Sequence, residues 1–277
     1  MIRHKFPRSS FRPRPFWLFF VLGLLLVGLL ALPLLALVLR AVGRDFFDYA
    51  FMPAAVAALR LSLLTSLTSV AISVLTGTPL AYGLARWKFR GRGALELLID
   101  LPVVLPPSVA GLGLLITFGR QGLVGKYLTP LGISIPFTSL AVILAQTFVS
   151  APFFIRSART GIAGVDRDIE DAARADGASE RQLFRSVTVP LAGAALAAGL
   201  TMSWARSLGE FGATIMFAGN IERRTQTLPL VVYSEFQGGD LDASIAAAAI
   251  LVLAAFGVLV AVRVFHWGRV ADVRGIG

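Results

Sequence analysis

The sequence contains no cysteine, only two histidines and few charged residues. Of its 277 residues, 15% are charged and 56% are hydrophobic, and the mean hydropathy is +0.76. The absence of cysteine excludes disulfides, thiolate metal sites and cysteine nucleophiles. His4 and His266 both lie in basic terminal segments, so the sequence predicts no metal site and no histidine-based catalysis, and we assign no catalytic residue. A composition this apolar is typical of a protein that crosses a membrane several times.

Six apolar segments are long enough to cross a hydrocarbon core about 30 Å thick. The predicted spans are residues 16–39, 55–84, 95–118, 138–154, 190–208 and 243–265. We therefore predict an all-α membrane protein in which a six-span domain, 16–265, lies between a basic tail at 1–15 and a second tail at 266–277. A cleaved signal peptide is the alternative for the first segment, but the apolar core of such a peptide is only about 7–15 residues long.

Positive side chains are distributed unevenly around these segments. The predicted inner pieces carry five Lys or Arg in the first tail, four after the second span, six around residues 156–185 and three near the C-terminus. The three predicted outer connections together carry six. Because Lys and Arg accumulate on the cytoplasmic side of membrane proteins, we predict that both termini are cytoplasmic. The net charge of +10 then follows from membrane topology, and we expect no nucleic acid as a partner.

Residues 165–190 form a polar island of mixed charge between the fourth and fifth predicted spans. Asp166 is a predicted N-cap for a first short helix, and Gly177 suits its C-terminal end. Ser179, followed three residues later by Gln182, predicts a capping box that opens a second helix, and Pro190 predicts the start of the fifth span. A short helical elbow at the membrane surface is suited to contact with another protein. A solvated hairpin between two spans is the alternative.

The spacing within this island resembles the EAA loop of bacterial ABC-importer permeases. The loop of that family reads Glu-Ala-Ala, three residues, Gly, nine residues, Ile-x-Leu-Pro. In this chain Asp replaces the Glu, and Val replaces both the Ile and the Leu, while the spacing is retained. The matching positions are Asp171, Ala172, Ala173, Gly177, Val187 and Pro190. In the family this loop docks into a cleft of a cytoplasmic ATPase subunit, so the resemblance implies that these residues couple the chain to ATP hydrolysis.

A second informative stretch lies at the end of the fifth predicted span. Arg206 and Glu210 are four residues apart, so on a continuous helix they share a face and can neutralise each other. The residues alone favour a structural ion pair, and contact with a transported solute is the alternative. The runs GEFGAT (209–214), TQTLP (225–229) and LPPSVAG (105–111) resemble the molybdate and sulfate branch of the permease family, and most of all its molybdate members. We assign four residues to the translocation path or its gate: Ser108, Arg206, Glu210 and Thr214.

The resemblance implies a type I ABC-importer permease fold and a set of partners. These are a second, identical permease subunit, two cytoplasmic ATPase subunits, an extracytoplasmic molybdate- or oxyanion-binding protein, and membrane lipid. It implies import of a tetrahedral oxyanion, molybdate, across a bacterial cytoplasmic (inner) membrane, with tungstate and sulfate as alternatives. The chain itself is then no enzyme and binds no cofactor, because ATP and Mg belong to the partner ATPase.

Two further observations bear on the class of transporter. The Gly125-Lys126 pair lacks the glycine spacing and the Ser or Thr of a phosphate-binding loop, so this chain is not predicted to bind ATP by that route. An ion-coupled secondary transporter is the alternative from a different class, and it calls for ionisable residues deep in the spans and for broken helices in matching halves. The spans contain few acidic residues, and the polar island has no counterpart in the first half of the chain.

Overall fold

The computed structural model describes residues 16–41 and 46–274, with side chains described for 17–41 and 46–260. Within these ranges the regular structure is helical, as predicted. In chain order the α-helices are α1 (Phe16–Ala41), α2 (Phe46–Ala50), α3 (Pro53–Arg86), α4 (Arg92–Val104), α5 (Pro107–Phe118), α6 (Gly125–Leu128), α7 (Ser139–Ala163), α8 (Arg167–Ala175), α9 (Glu180–Leu183), α10 (Val189–Leu191), α11 (Gly193–Leu208), α12 (Gly212–Phe217), α13 (Leu228–Gly238) and α14 (Leu241–Arg274). A 3₁₀ turn at Thr129–Leu131 and a π-helix at Phe184–Thr188 complete the described elements.

The chain divides into two compact units, Met1–Arg44 and Asp45–Gly277. The first unit contains α1, a 26-residue helix that is apolar except for Arg40 and whose described side chains are almost all exposed. An exposed helix of this length and composition matches a hydrocarbon environment. The predicted first span is thus confirmed as a helix, and it extends two residues beyond the predicted end. The predicted tail at 1–15 lies outside the described residues.

The core of the second unit is formed by α3, α7 and α11, which approach one another closely through small residues. A Cβ added to Gly77 of α3 would lie 2.9 Å from Ile155 Cγ1 of α7, and one added to Gly199 of α11 would lie 2.7 Å from Ser157 Cβ. Without a hydrophobic driving force between helices in lipid, such close packing and interhelical hydrogen bonds hold a bundle together. The Ser- and Thr-rich face of α3 contributes to both, since Thr147 Oγ1 of α7 donates to Ser69 Oγ at 3.1 Å.

Two of the six predicted spans are broken helices. The helices α1, α3, α7 and α14 are each long and apolar enough to cross a membrane. The third predicted span is divided into α4 and α5, whose axes differ by 116°, and the fifth is bent by 74° between Glu180–Leu191 and Gly193–Leu208. The first break coincides with Pro106 and Pro107, which lack backbone donors and push the preceding residue, Leu105, into an extended conformation. Counting each bent pair as one span gives up to six spans.

Several predicted boundaries differ from the observed ones. The fourth span does not end at residue 154, because α7 continues to Ala163. The two arginines near the predicted end form ion pairs with α4: Arg156 pairs with Asp100, and Arg159 lies 3.2 Å from Glu96. The prediction that Pro190 starts the fifth span is wrong, since Pro190 lies inside α10 and the long helix begins at Gly193. The described backbone of α14 reaches Arg274, beyond the predicted end of the sixth span at 265.

Candidate functional site

The polar island folds as the predicted pair of short helices, and we call residues 165–190 the elbow. Asp166 caps α8, because its Oδ1 accepts a hydrogen bond from Asp168 N at 3.0 Å. The helix closes at Gly177, which has φ +87°, a conformation that side-chain-bearing residues rarely adopt. The amide of Ala178 donates to Ala173 O at 3.0 Å, as expected when a left-handed residue ends a helix. Local sequence therefore determines the turn.

The second half of the elbow joins it to the bundle. Ser179 and Gln182 form the predicted capping box, and α9 leads directly into the π-helix Phe184–Thr188. Leu183 is fully buried, and the Phe184 ring meets the Tyr82 ring of α3 edge to face with centroids 5.4 Å apart. The ring contact thus holds the start of the π-helix against α3.

A buried ion pair that the sequence did not reveal connects the elbow to α3. Arg86 Nη2, at the end of α3, lies 2.7 Å from Glu170 Oε1 of α8, and the two side chains are only 8% and 2% exposed. The same Nη2 also donates to Val165 O at 3.2 Å. Thr188 Oγ1, from the π-helix, donates to the same Glu170 oxygen at 2.9 Å. One carboxylate oxygen therefore joins three segments that are distant in sequence.

The opposite side of α8 is exposed. Ile169 is 48% exposed, and Ala172 and Gly177 are exposed as well. Small residues flanked by one larger apolar side chain form a surface that another protein can approach closely. All six predicted coupling residues lie in the elbow, where Asp171, Ala172, Gly177 and Pro190 are exposed and Ala173 and Val187 are partly buried.

An exposed ion-pair network lies on this surface. Arg174 Nη1 lies 2.7 Å from Asp171 Oδ1, and Arg174 Nε lies 2.8 Å from Glu180 Oε1, so one guanidinium bridges α8 and α9. The hydrogen bond from Arg174 lowers the pKa of the Glu180 carboxyl, and the two carboxylates raise the pKa of Arg174. The network is exposed to water, so its energetic contribution is small, and it adds only slightly to the turn that Gly177 and the capping box already set.

The predicted path residues lie around a second feature, the junction of α11 and α12. Arg206 Nη2 lies 2.8 Å from Glu210 Oε2, so the expected i,i+4 pair is present; Glu210 is fully buried and Arg206 is 29% exposed. Glu210 Oε1 also accepts from Ala213 N at 2.7 Å, so this carboxylate caps α12. Oε1 is thus hydrogen-bonded within the chain, whereas Oε2 lies next to Arg206 but has no hydrogen-bond partner among the described residues.

The other two predicted path residues flank this junction. Gly212, the first residue of α12, packs against the start of α5, where a Cβ on it would lie 2.7 Å from Pro107 Cβ and 3.3 Å from Ser108 N. Ser108 is exposed, whereas Thr214 is buried and its Oγ1 has no hydrogen-bond partner among the described residues. The four path residues therefore belong to one region of the fold but do not form a single cluster of side chains.

No group of three or more His, Asp or Glu side chains is arranged to hold a metal ion in the part of the chain that the structure describes. The candidate sites are the exposed face of the elbow and the junction of α11 and α12.

Comparisons with known proteins agree with these features. Residues 73–267 match the family described as the binding-protein-dependent transport system inner membrane component. The molybdenum transport system permease protein ModB of Mycobacterium tuberculosis is 43% identical over 210 residues, covering 76% of this chain and 79% of that protein. The sulfate transport system permease protein CysT of Salmonella typhimurium is 36% identical over 210 residues, covering 76% of each. Among solved structures, a bacterial ABC transporter involved in the import of the acidic polysaccharide alginate gives a TM-score of 0.72 at 18% identity, over 91% of this chain and 95% of that one.

Proposed function

This chain belongs to the binding-protein-dependent transport system inner membrane component family, and from that premise we propose that it is the permease subunit of an ATP-driven importer of molybdate. The family membership makes it a multi-pass inner-membrane component of a transport system. Molybdate is proposed because relatives named as molybdenum permeases are 40–43% identical over most of the chain. Sulfate is the second candidate, supported by the 36% identity to a sulfate permease. Tungstate has the same charge and shape as molybdate and is an expected competitor.

In this proposal the elbow is the contact with the ATPase. The observation that carries it is the combination of an exposed, small-residue face on α8 with a buried attachment on the other face of the same helix. A stiff short helix transmits a displacement, whereas a flexible loop absorbs it. Each of two identical permease chains offers one elbow to one of two cytoplasmic ATPase subunits. ATP and Mg bind to those subunits, and this chain contributes no catalytic group.

The remaining parts follow from the same assembly. Two bundles enclose the path between them, an oxyanion-binding protein delivers the substrate from outside, and both termini of this chain are cytoplasmic. Ser108 and Thr214 are proposed to line the path or its gate, and the Arg206–Glu210 pair is proposed to hold the junction of α11 and α12 that shapes it.

The test is uptake into proteoliposomes that contain this chain, its ATPase and the binding protein. We expect accumulation of radioactive molybdate that requires both ATP and the binding protein and that excess tungstate blocks, while a hundredfold excess of sulfate has little effect. ATP-dependent uptake of sulfate that excess molybdate does not inhibit would mean that the substrate is sulfate and not molybdate. Uptake driven by a proton or sodium gradient without ATP would overturn the proposed class.

A further inference from the structure

We propose that Arg86, Glu170 and Thr188 form a lock that makes the elbow, the end of α3 and the entry to α11 move as one body, so that these three are positioning residues for energy coupling. This inference rests on the proposed function and deepens it. The sequence motif that identifies the elbow includes none of the three.

The geometry of the lock is specific. Glu170 Oε1 accepts from Arg86 Nη2 at 2.7 Å and from Thr188 Oγ1 at 2.9 Å, and the same guanidinium nitrogen donates to Val165 O at 3.2 Å. Arg86 ends α3, Val165 precedes α8, Glu170 lies in the first turn of α8, and Thr188 ends the π-helix that leads to α11. A displacement of α8 relative to α3 or to Thr188 therefore has to break bonds to one shared oxygen.

The burial of the pair explains why it resists being broken. An ion pair in water exchanges partners at little cost, but separating buried partners leaves uncompensated charges in a medium of low dielectric constant. Glu170 is 2% exposed and Arg86 is 8% exposed, in contrast to Arg174 and its partners Asp171 and Glu180, which are between 38% and 69% exposed. The exposed network adds only slightly to the shape of the elbow, and the buried pair fixes the elbow to the bundle.

The other contacts between the elbow and α3 are of a different kind. The Tyr82 and Phe184 rings meet edge to face, and such apolar contacts permit sliding because they have little directional preference. Among the described residues, the hydrogen bonds that tie the elbow to α3 are those made by Arg86. The lock is therefore the directional element of the joint.

The first test compares Arg86→Gln and Glu170→Gln with Lys88→Gln in the reconstituted transporter. Lys88 is exposed and two residues from Arg86, so its substitution removes the same charge from the same segment. We expect molybdate imported per ATP hydrolysed to fall at least about threefold in the two lock variants, with ATP hydrolysis retained. Lys88→Gln should match the unsubstituted chain, and Arg86→Lys, which keeps a charge, should recover part of the loss. An unchanged ratio in lock variants that insert and assemble normally would overturn the proposal.

A second measurement uses the chain alone, so it does not depend on transport. Because the sequence has no cysteine, spin labels attach only at the introduced residues of the double variant Lys88→Cys, Asp168→Cys, and both positions are exposed. The labelled chain is then mixed with excess unlabelled chain, so that only distances within one chain are measured. We expect a narrow distance distribution between these labels, which Arg86→Gln broadens. An equally narrow distribution in Arg86→Gln would overturn the lock. A third outcome separates the lock from the proposed function: the reconstituted transporter imports no molybdate, while the distance distribution is narrow in the chain with Arg86 and broad in Arg86→Gln. That outcome would overturn the proposed function and support the lock.

Discussion

Gly177 is the residue at which the direction of the elbow is decided. Its φ of +87° lies in the left-handed region, and no atom lies within 4 Å of the position that a Cβ would occupy. The requirement for glycine is therefore conformational and not steric. Its amide also donates to Arg174 O at 3.0 Å, so proline is excluded twice, by its fixed negative φ and by its missing donor.

We predict that Gly177→Pro leaves the chain in the membrane but lowers molybdate uptake per ATP hydrolysed. The reason is that α8 can no longer turn back at its end, so its exposed face changes direction while the transmembrane helices keep their packing. The strain is expected to cost about 1–3 kcal/mol of folding free energy. The measurements are ATP hydrolysis and uptake in the same proteoliposomes.

Gly239 offers a matched control for this substitution. It has φ +84°, has open space at its Cβ position, and donates its amide to Phe236 O at 3.2 Å. Gly239→Pro should therefore cause similar strain at the end of α13, far along the chain from the elbow, without reducing uptake per ATP. Equal losses in both variants would mean that general destabilisation, and not the elbow, explains the effect.

The sequence predicted the two short helices of the elbow, but it did not predict the ion pair that attaches the elbow to α3. Caps and glycine act within a few residues, so Asp166, Gly177 and Ser179 were interpretable from the sequence. Glu170 and Asp171 are adjacent acidic residues, yet one is buried and the other exposed, because successive residues on a helix point about 100° apart. The partner of Glu170 is Arg86, 84 residues away. In the sequence Arg86 is only one of several positive residues predicted on the cytoplasmic side, and nothing singles it out as that partner.

At the scale of helices, the contact between α5 and α12 depends on the absence of one side chain. A Cβ on Gly111 would lie 2.6 Å from Ala213 O and 2.8 Å from Met216 Cβ. Backbone atoms cannot yield as the end of a flexible side chain can, so the two helices would have to separate. This contact brings Ser108 close to the Glu210 cap of α12.

We predict that Gly111→Ala destabilises the protein by about 1–3 kcal/mol, the range expected for overpacking a tight interface. The measurement is thermal unfolding of the purified chain in detergent. Gly113→Ala, two residues along the same helix, provides the control, because no atom lies within 4 Å of its Cβ position. It should leave stability unchanged or raise it by up to about 1 kcal/mol through better helix propensity. A Gly111 variant as stable as the Gly113 variant would contradict the close packing.

The existence of the helices was predictable, but their breaks were not. Long apolar runs identify a helix that must satisfy its own backbone in lipid, so the extent of α3 was predicted within two residues at each end. The third predicted span contains Pro102, Pro106 and Pro107, and proline kinks or breaks a helix, but nothing in the local sequence determines an angle of 116°. The break before α11 was missed because Ala192 and Ala195 pack against Gly161 of α7, a tertiary contact that local sequence does not encode.

At the scale of the whole molecule, two contacts constrain how often the chain crosses the membrane. Arg86 and Glu170 are 2.7 Å apart, so the end of α3 and the elbow lie on the same side. An even number of crossings must separate them. If α7 crosses the membrane, as its length and composition allow, the bent pair α4–α5 must cross as well, and it is then a broken span and not a re-entrant loop.

The same reasoning applies to the bend before α11. Tyr49 Oη donates to Asp240 Oδ2 at 3.5 Å, so the start of α3 and the start of α14 also lie on one side. With α3, α4–α5 and α7 already crossing, the segment that includes α11 must cross as well. Counted in this way the second unit has five crossings, and α1 is long and apolar enough to be a sixth.

This topology predicts which single cysteines an impermeant thiol reagent will label in intact cells. Lys126→Cys and Arg224→Cys lie in the predicted outer connections and should react at once, whereas Lys88→Cys and Asp168→Cys should react only after the membrane is permeabilised. All four positions are exposed, so lack of reaction reports the membrane barrier and not burial, and the cysteine-free chain is the blank. Protection of position 126 together with protection of positions 88 and 168 would make α4–α5 a re-entrant loop and would contradict the parity argument, because α7 alone would then separate Arg86 from Glu170. Labelling of position 168 from outside would place the elbow away from any cytoplasmic ATPase, and the proposed coupling would then be wrong.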